Sequence, residues 1–479
     1  MDFPWTIFVD LGVLSLGLLA ATLIRAKVGW FQRYLIPNSL TAGFLLLPFY
    51  NWVFPPMGLS ANDLSALVYH LLSISFVAMT LRKSPRTGKA GDLRLISTTV
   101  GVLSQYAIQA VLGLALTILF VATIMPHLFP AFGFMLPLGF ALGPGQAFAI
   151  GQGWQHFGFA GAGTIGLTFA AVGFLWACFG GVFLINWGLR KGWTDRHELS
   201  PLRAREVKTG VVPPGEEAAL PVGARLTTET EAIDSMTFNL AMVFAVYLLA
   251  YLLLQGVTYL LGFAGKMGHD LAVNLWGLSF IFAALVALAV RYLTKVAKVD
   301  HILDNGTLTR IAGASVDLMV AASIAAISVV VVAEYWLPIT VMCVLGGIVT
   351  TVTLPWICSR LFVDHRFHRT LMIYGASTGT MPTGLALLRV IDPGFETPVA
   401  FDFMYSSGLT FLLAIPFILI INLPAYTYET GNWLYFWLAF AVCGAYLVFV
   451  VVAFFLLSRN RALKDSRRIW LAEVGSERR

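Results

Sequence analysis

Eleven long apolar segments constrain the fold of this chain more than any other feature. A bilayer core is about 30 Å thick, so a helix that spans it needs about 20 mostly apolar residues. Only 12% of the residues are charged, against about 25% in a typical soluble domain. This excludes a soluble enzyme, a disordered chain and a nucleic-acid-binding domain, and it predicts an all-α polytopic membrane protein. The segments are Trp5–Ile24, Tyr34–Phe54, Leu64–Leu81, Ile96–Met125, Gly161–Leu189, Met236–Phe263, Leu271–Val290, Ile311–Ala333, Leu337–Ser359, Pro398–Leu423 and Trp433–Leu457.

Two further apolar segments, at about 134–154 and 371–391, are interrupted at their centres by glycine, proline and small polar residues. In hydrocarbon every backbone N–H and C=O needs a partner, so a broken helix is tolerated only inside protein or beside a wet cavity. Each segment therefore predicts a re-entrant hairpin of two half-helices. A kinked spanning helix is the alternative, although a kink usually needs only one glycine or proline.

The distribution of basic residues predicts the orientation, because cytoplasmic loops are enriched in Lys and Arg. With the N-terminus outside and both broken segments returning to their own side, 30 of the 31 Lys and Arg residues lie inside. Only Lys266 then lies outside. If 134–154 crossed fully, the basic residues from Arg190 to Arg310 would face outward. We therefore expect a cytoplasmic C-terminus and a hairpin at 134–154.

The order of these segments predicts two inverted repeats of five transmembrane helices, each with a re-entrant hairpin, plus one extra C-terminal helix. Such halves are antiparallel because each has an odd number of spans, and their hairpin tips meet near the midplane. The predicted units are an N-terminal repeat 1–189, a cytoplasmic linker 190–235, a C-terminal repeat 236–424, an additional helix 433–457 and a basic tail 458–479. We expect that tail to be solvated and to face anionic lipid.

The two hairpin tips are the first candidates for a binding site. The N-terminus of a half-helix presents unpaired N–H groups and a partial positive charge, which attract an anion, while unwound carbonyls favour a cation. Glycines allow close approach and hydroxyl groups supply oxygen ligands. The alternative is that the same residues only satisfy the bent backbone. The predicted substrate-binding residues are Gly143, Gly145 and Gln146 at the first tip, and Thr378, Gly379, Thr380 and Thr383 at the second.

Asp317 is the candidate sodium ligand, because it lies about 10 Å into its span within a stretch of small residues. A lone intramembrane carboxylate is costly and usually functional, although a structural aspartate is the alternative. Asp10 and Asp402 lie closer to the ends of their spans, which favours structural roles. Gln105 and Gln109 share one helix face, and interhelical hydrogen bonding is the expected role of both.

Motifs for catalysis are missing from the sequence. The four cysteines lie in apolar runs, the histidines form no metal-ligand pattern, and there is no GxSG or nucleotide-binding loop. We therefore expect neither an enzyme nor an ATP-driven pump, and no cofactor other than Na⁺ as a coupling ion.

Three stretches resemble the sodium/glutamate symporter (glutamate permease) family. They are GFALGPGQAFAIGQGW, the following FAGAGTIGLTFAAVGFLWACFGGVFLINWGLRKG, and IPNSLTAGFLLLPF in the second span. The resemblance implies a bacterial inner-membrane homodimer that takes up glutamate with Na⁺ by an elevator-like movement of the hairpin domain. The family's first tip typically reads Gly-Gly-His-Gly-Thr, whereas Leu142–Gln146 stands here. That departure leaves a related organic anion open.

These observations predict a sodium-coupled symporter that imports glutamate or a similar small anionic amino acid across the bilayer. An H⁺- or Na⁺-coupled carrier of another organic anion is the alternative within transport. A channel is a rival of a different class, because opposed re-entrant hairpins also build pores.

Overall fold

The computed structural model describes residues 5–34, 36–83, 93–193, 209, 211, 223–263, 265, 272, 275–392 and 397–471. Within this part the chain is helical and contains no strand. Ten helices are long and apolar enough to cross a membrane, which confirms the coarse fold class. Most of the predicted linker and the last eight residues of the tail lie outside the described residues.

In the first half, the described residues form eight helices. Polar side chains cap helices in the loops, as Ser60 does by accepting a hydrogen bond from the backbone N–H of Asp63. The helices are α1 (Thr6–Lys27), α2 (Gly29–Arg33), α3 (Asn38–Pro48), α4 (Ala61–Leu81), α5 (Leu93–Thr123), α6 (Phe132–Leu142), α7 (Pro144–Trp154) and α8 (Ala162–Arg190).

Nine helices of the second half lie wholly within the described residues, and Asp234 and Asp304 cap two of them. They are α9 (Ser235–Gly262), α10 (Ser279–Val296), α11 (Asn305–Ala325), α12 (Val329–Glu334), α13 (Trp336–Leu361), α14 (Arg366–Thr378), α15 (Met381–Ile391), α16 (Val399–Thr430) and α17 (Leu434–Ser458).

The second predicted span, Tyr34–Phe54, is shorter than expected. It forms α3 and continues only through the π-helical turn Phe49–Val53. Proline is the physical reason, because Pro37 precedes the first turn and Pro55 and Pro56 follow the last. The other ten predicted spans coincide with the ten long helices, with ends shifted by several residues.

Six helices form one bundle, which we call the six-helix bundle: α1, α3, α4, α9, α10 and α11. Its centre is the long contact between α4 and α11. In the first half α1 packs on α3, and α3 packs on α11 of the central pair. In the second half α9 packs on α10, and α10 packs on α4 of the central pair. The pairing of α1, α3 and α4 is therefore repeated by α9, α10 and α11.

The remaining long helices form a second bundle around two short antiparallel helix pairs, which we call the hairpin bundle. Hairpin one is α6 and α7, and hairpin two is α14 and α15. In hairpin two Gly375 lies against Gly384, and Gly384 against Met372, so the two arms approach closely along their length. The helices α5, α8, α13, α16 and α17 surround the hairpins.

The loops gather at two opposite ends of the molecule. At one end, which we call the basic end, Lys83 pairs with Asp300 at 3.6 Å and Arg94 with Asp364 at 3.8 Å. At the far end Asn51 donates to the Ile327 carbonyl at 2.9 Å. Hairpin one starts at the far end, where the rings of Phe129 and Trp154 lie 5.6 Å apart. Hairpin two starts at the basic end, directly after Asp364, so the hairpins point toward each other.

The described part of the tail, Arg459 to Leu471, differs from the solvated tail that we expected. The buried guanidinium of Arg360 donates to the carbonyls of Lys464, Asp465 and Arg468. The ring of Trp470 stacks on that of Trp193 at 4.6 Å. The tail is docked through its backbone carbonyls, the ring of Trp470 and the guanidinium of Arg461, which donates to the Phe362 carbonyl at 2.7 Å. Most of its charged side chains stay exposed.

Candidate functional site

The first helix break lies at Gly143, between α6 and α7. Gly143 has a φ of +92°, a conformation that residues with a Cβ rarely adopt. Pro144 follows at the first position of α7, where its fixed φ suits a helix start. Among the described residues no side chain caps this N-terminus. The first-turn N–H groups of Gly145 and Gln146 therefore have no side-chain cap from the described part of the chain, although both residues are buried.

The second break lies at Gly379 and Thr380, between α14 and α15. α15 begins with Met381 and Pro382, and again no side chain caps its N-terminus. The hydroxyl groups of Thr380 and Thr383 lie 3.2 Å apart. Thr380 and Met381 are half-buried and Pro382 is exposed. The second tip is therefore more open than the first.

The two breaks meet inside the hairpin bundle. A Cβ placed on Gly143 would lie 3.0 Å from Cγ2 of Thr380 and 3.6 Å from the carbonyl oxygen of Gly379. The same position is 3.8 Å from Oε1 of Gln146. Two helix N-termini with partial positive charge thus converge on one small volume.

Helix α5 supplies a polar partner to each hairpin. The hydroxyl of Tyr106 donates to the Ala141 carbonyl at 3.4 Å, just before the first break. One turn on, Nε2 of Gln109 donates to the Ser377 carbonyl at 3.1 Å, just before the second. The same amide also donates to Oγ1 of Thr350 on α13 at 3.0 Å. The ends of both broken helices are therefore held by one face of α5.

Two buried polar atoms beside the second break have no protein partner: Oε1 of Gln109 and Oγ of Ser377. Both residues are fully buried, and a buried polar atom without a partner is costly. No carboxylate from the described part of the chain forms a hydrogen bond or an ion pair with either tip. The site thus offers uncapped N–H groups, hydroxyls and one amide oxygen, a set that suits a small anion with its own donors.

Helix α8 packs closely against this region. A Cβ on Gly173 of α8 would lie 2.5 Å from the Thr378 carbonyl oxygen. α8 also contains a π-helical turn, Trp176–Gly180. The carbonyl of Trp176 in that turn accepts a hydrogen bond from Tyr374 at 3.2 Å. The π-helical turn therefore provides a hydrogen-bond acceptor for hairpin two.

The structure brings together the seven predicted tip residues but not Asp317. Asp317 is exposed on α11 of the six-helix bundle, the helix against which α3 packs. The small neighbours Gly313 and Ala314 leave this face of the helix open. The described residues contain no group of three or more His, Cys, Asp or Glu side chains that could hold a metal ion.

Asp402 and Asp10 have structural partners. Asp402 on α16 pairs with the buried Arg369 of hairpin two at 2.7 Å. Asp10, fully buried on α1, accepts a hydrogen bond from Tyr50 at 2.6 Å. The expected interhelical role of Gln109 is also observed, although the same amide belongs to the site.

Sequence reasoning missed Tyr106, Thr350 and Tyr374. Thr350 belongs to a run of threonines within an apolar helix, a signal that could have been used. Tyr106 lies between the two glutamines that were singled out, yet nothing in the sequence indicates its partner. Comparison with protein-family models, with curated proteins and with solved structures finds no match.

Proposed function

We propose that this protein is a cation-coupled secondary transporter for a small organic anion of the amino-acid type, with glutamate as the first substrate to test. The observation that carries the proposal is the convergence of two uncapped helix breaks at Gly143 and Thr380. Discontinuous helices that meet inside a bundle of apolar helices form the substrate sites of many secondary transporters. The resemblance of the first hairpin region to sodium/glutamate symporters supports the same assignment.

The chemistry of the site favours an α-amino acid carboxylate. The N–H groups at the two tips would receive the carboxylate. Oε1 of Gln109 and Oγ of Ser377 would accept hydrogen bonds from the ammonium group. Hydrogen bonds from the substrate to these two buried atoms would remove the desolvation penalty that the atoms carry without a partner, and this would favour binding.

The two-bundle architecture supports alternating access by relative movement of the bundles. The repeated pairing of α1, α3 and α4 by α9, α10 and α11 is what an inverted repeat produces. Two re-entrant hairpins that enter from opposite ends would move with the hairpin bundle, against a six-helix scaffold. Substrate would then cross the membrane with the tips, in an elevator-like step.

Coupling to Na⁺ is assigned to Asp317. A carboxylate offsets part of the cost of dehydrating the ion, and the side chain of Asp317 is exposed on α11. An uncompensated carboxylate within a membrane is costly, so binding of the cation at this scaffold residue would lower that cost during the cycle.

Transport should be measured with the purified full-length protein in proteoliposomes. An inward Na⁺ gradient and a panel of labelled glutamate, aspartate, neutral amino acids and dicarboxylates separate the possible substrates. A carrier gives saturable uptake and exchanges external for internal substrate, whereas a channel gives neither. Failure of every substrate to exchange would contradict the proposal.

Site variants assign the roles. Thr380→Val and Gln146→Ala should weaken the apparent substrate affinity, whereas Asp317→Asn should raise the Na⁺ concentration for half-maximal uptake. Thr168→Val is the matched control, because its buried hydroxyl bonds only to the Thr164 carbonyl of its own helix. If Asp317→Asn keeps the wild-type Na⁺ dependence, the cation is bound elsewhere.

A carrier of another organic anion, coupled to H⁺ or Na⁺, is the second candidate. The sequence Leu142–Gln146 at the first tip favours it, because this run departs from the glutamate pattern. Uptake of a dicarboxylate without an amino group, with no uptake of glutamate, would select this candidate.

A further inference from the structure

A large cavity at the basic end lies apart from the two breaks. It has a volume of about 790 Å³ and is lined mainly by α2 and by the last turns of α8. Its polar lining is made of Gln32, Arg33, Tyr34, Asn186, Trp187 and Arg190. A volume of this size accommodates a small molecule or a lipid headgroup.

The described lining of this cavity is positively charged. Arg33 and Arg190 are both exposed, and neither forms an ion pair with any described residue. None of the described lining residues is Asp or Glu. Two guanidinium groups facing one cavity attract an anion, and they suit the planar recognition of a phosphate group.

A second groove adjoins this cavity. It has a volume of about 490 Å³ and shares Phe179 and Phe183 with the first cavity. Its remaining lining comes from α8 and α13 and includes Leu175, Ile348 and Val352, and none of its described lining residues is charged. A basic cavity joined to an apolar groove matches an amphiphile, with an anionic head and an acyl chain.

We propose that these two cavities form one binding site for an anionic phospholipid. The phosphate lies between Arg33 and Arg190, and one acyl chain passes Phe183 into the groove. Phe183, Ile348 and Val352 are 56%, 46% and 45% exposed, so the groove is open on the side where lipid would enter. Basic pockets between transmembrane helices at the cytoplasmic surface are a recognised form of lipid site.

The site would connect the two bundles. α2 follows α1 of the six-helix bundle, whereas α8 belongs to the hairpin bundle. The ring of Trp30 on α2 lies 5.6 Å from that of Phe179 on α8, and the ring of Tyr34 lies 5.0 Å from it. A lipid bound here contacts both sides of a contact that relative movement of the bundles would change.

Native mass spectrometry of the detergent-solubilised full-length protein tests the proposal. Dioleoyl phosphatidylglycerol is titrated against dioleoyl phosphatidylcholine, and we expect the anionic lipid to bind at least about tenfold more tightly. Arg33→Ala with Arg190→Ala should remove that preference. Lys27→Ala with Lys191→Ala is the matched control, since these exposed cations are close in sequence but do not line the cavity. Equal binding of the two lipids to the wild type would overturn the proposal.

The acyl-chain groove is tested separately. Ile348→Trp fills the groove and should weaken phosphatidylglycerol binding severalfold, whereas Leu345→Trp, on the same helix but outside the groove, should not. Inorganic phosphate distinguishes a lipid from a soluble anion. If phosphate displaces the lipid at concentrations comparable to the lipid's own, or if Ile348→Trp binds as the wild type does, the site does not hold a phospholipid.

Discussion

At the scale of single residues, Gln109 combines two interhelical hydrogen bonds with an unpartnered buried oxygen. Its amide holds the Ser377 carbonyl at the second break and Thr350 on α13, while its own oxygen lacks a protein partner. A glutamine that only joined two helices would not need this free acceptor. The geometry favours a residue that fixes the break and, in the proposed transporter, also faces the substrate.

Replacing Gln109 by Met keeps the size of the side chain but removes both donors and the acceptor. We expect the apparent substrate affinity to fall about tenfold or more, since each lost buried hydrogen bond costs about 1 kcal/mol or more. Gln105→Met is the control, because its hydrogen bonds, to the adjacent Ser104 and from Thr353, are 3.3 and 3.4 Å long. Uptake kinetics in proteoliposomes measure both variants. Equal effects would mean that the two glutamines share one packing role.

Asp304 gives a residue-scale prediction outside the membrane-spanning segments. Partial burial opposes its ionisation, but hydrogen bonds from Thr307 and from the backbone of Arg225 outweigh burial and lower the pKa of Asp304. Its carboxylate caps α11, accepting from the Thr307 N–H at 2.7 Å. Because the folded-state pKa is lowered, this stabilisation is complete above pH about 4 and is lost as the pH falls further.

Asp304→Ala should therefore destabilise the protein by about 1 kcal/mol at pH 7, the usual value of an N-cap. The difference in Tm from the wild type should shrink as the pH falls below about 4. Asp304→Asn retains a capping oxygen without a charge, so its Tm difference from Asp304→Ala should not depend on pH. Thermal unfolding in detergent at several pH values measures this. A Tm difference between wild type and Asp304→Ala that stays constant with pH would contradict the role of the charge.

At the scale of elements, the helix breaks could be predicted and their partners could not. Gly143 and Gly379 act through local backbone chemistry, which sequence shows directly. The hydrogen bond from Tyr106 to Ala141 depends on how α5 lies against hairpin one, which is a property of packing over a long sequence separation. The π-helical turn at Trp176–Gly180 is hidden for the same reason, because Tyr374 reaches it from another helix.

The C-terminal tail is a second element for which the expectation from composition differs from the structure. Its basic side chains suggested a solvated segment, but Arg461 donates to the Phe362 carbonyl, and most of the tail's other hydrogen bonds are accepted by backbone carbonyls, which every sequence has. The donor to three of these carbonyls is the guanidinium of Arg360. This residue is fully buried, and its guanidinium also lies over the ring of Trp356 at 4.4 Å. Without the tail this charge would lose three acceptors.

Trp470→Ala should release the tail from the basic end, because it removes the stacking on Trp193 and the edge contact with Phe367. We expect a loss of about 1 kcal/mol or more, typical of aromatic pairs with buried area. Hydrogen exchange should then become faster in residues 462–471 and around Arg360. Leu463→Ala, at a residue 68% exposed, should change neither. If the tail stays protected in Trp470→Ala, the Arg360 contacts hold it alone.

At the scale of the whole molecule, the loops form two groups at opposite ends, and these are the same two groups that the distribution of Lys and Arg predicts. Loops expected inside meet at the basic end, where Arg94 pairs with Asp364 and Arg225 contacts Asp304. Loops expected outside meet at the far end, where Trp154 donates to Asn422. The packing gathers the loops expected inside at one end of the molecule, and the placement of that end in the cytoplasm stays a prediction from the charge count.

This orientation predicts which engineered cysteines react from outside the cell. The four native cysteines are buried, so they give little background with an impermeant thiol reagent. Glu231→Cys and Ala297→Cys lie on exposed positions of the basic end, and Met57→Cys lies at the far end, where Met57 is 72% exposed. In intact cells Met57→Cys should be labelled while the other two react only after permeabilisation, because the bilayer separates the two ends. The reverse pattern would invert the molecule, exchanging the entrances of the two hairpins. Labelling of all three from outside would mean that the far end and the basic end are not on opposite sides, and the two-bundle transport scheme would fail with it.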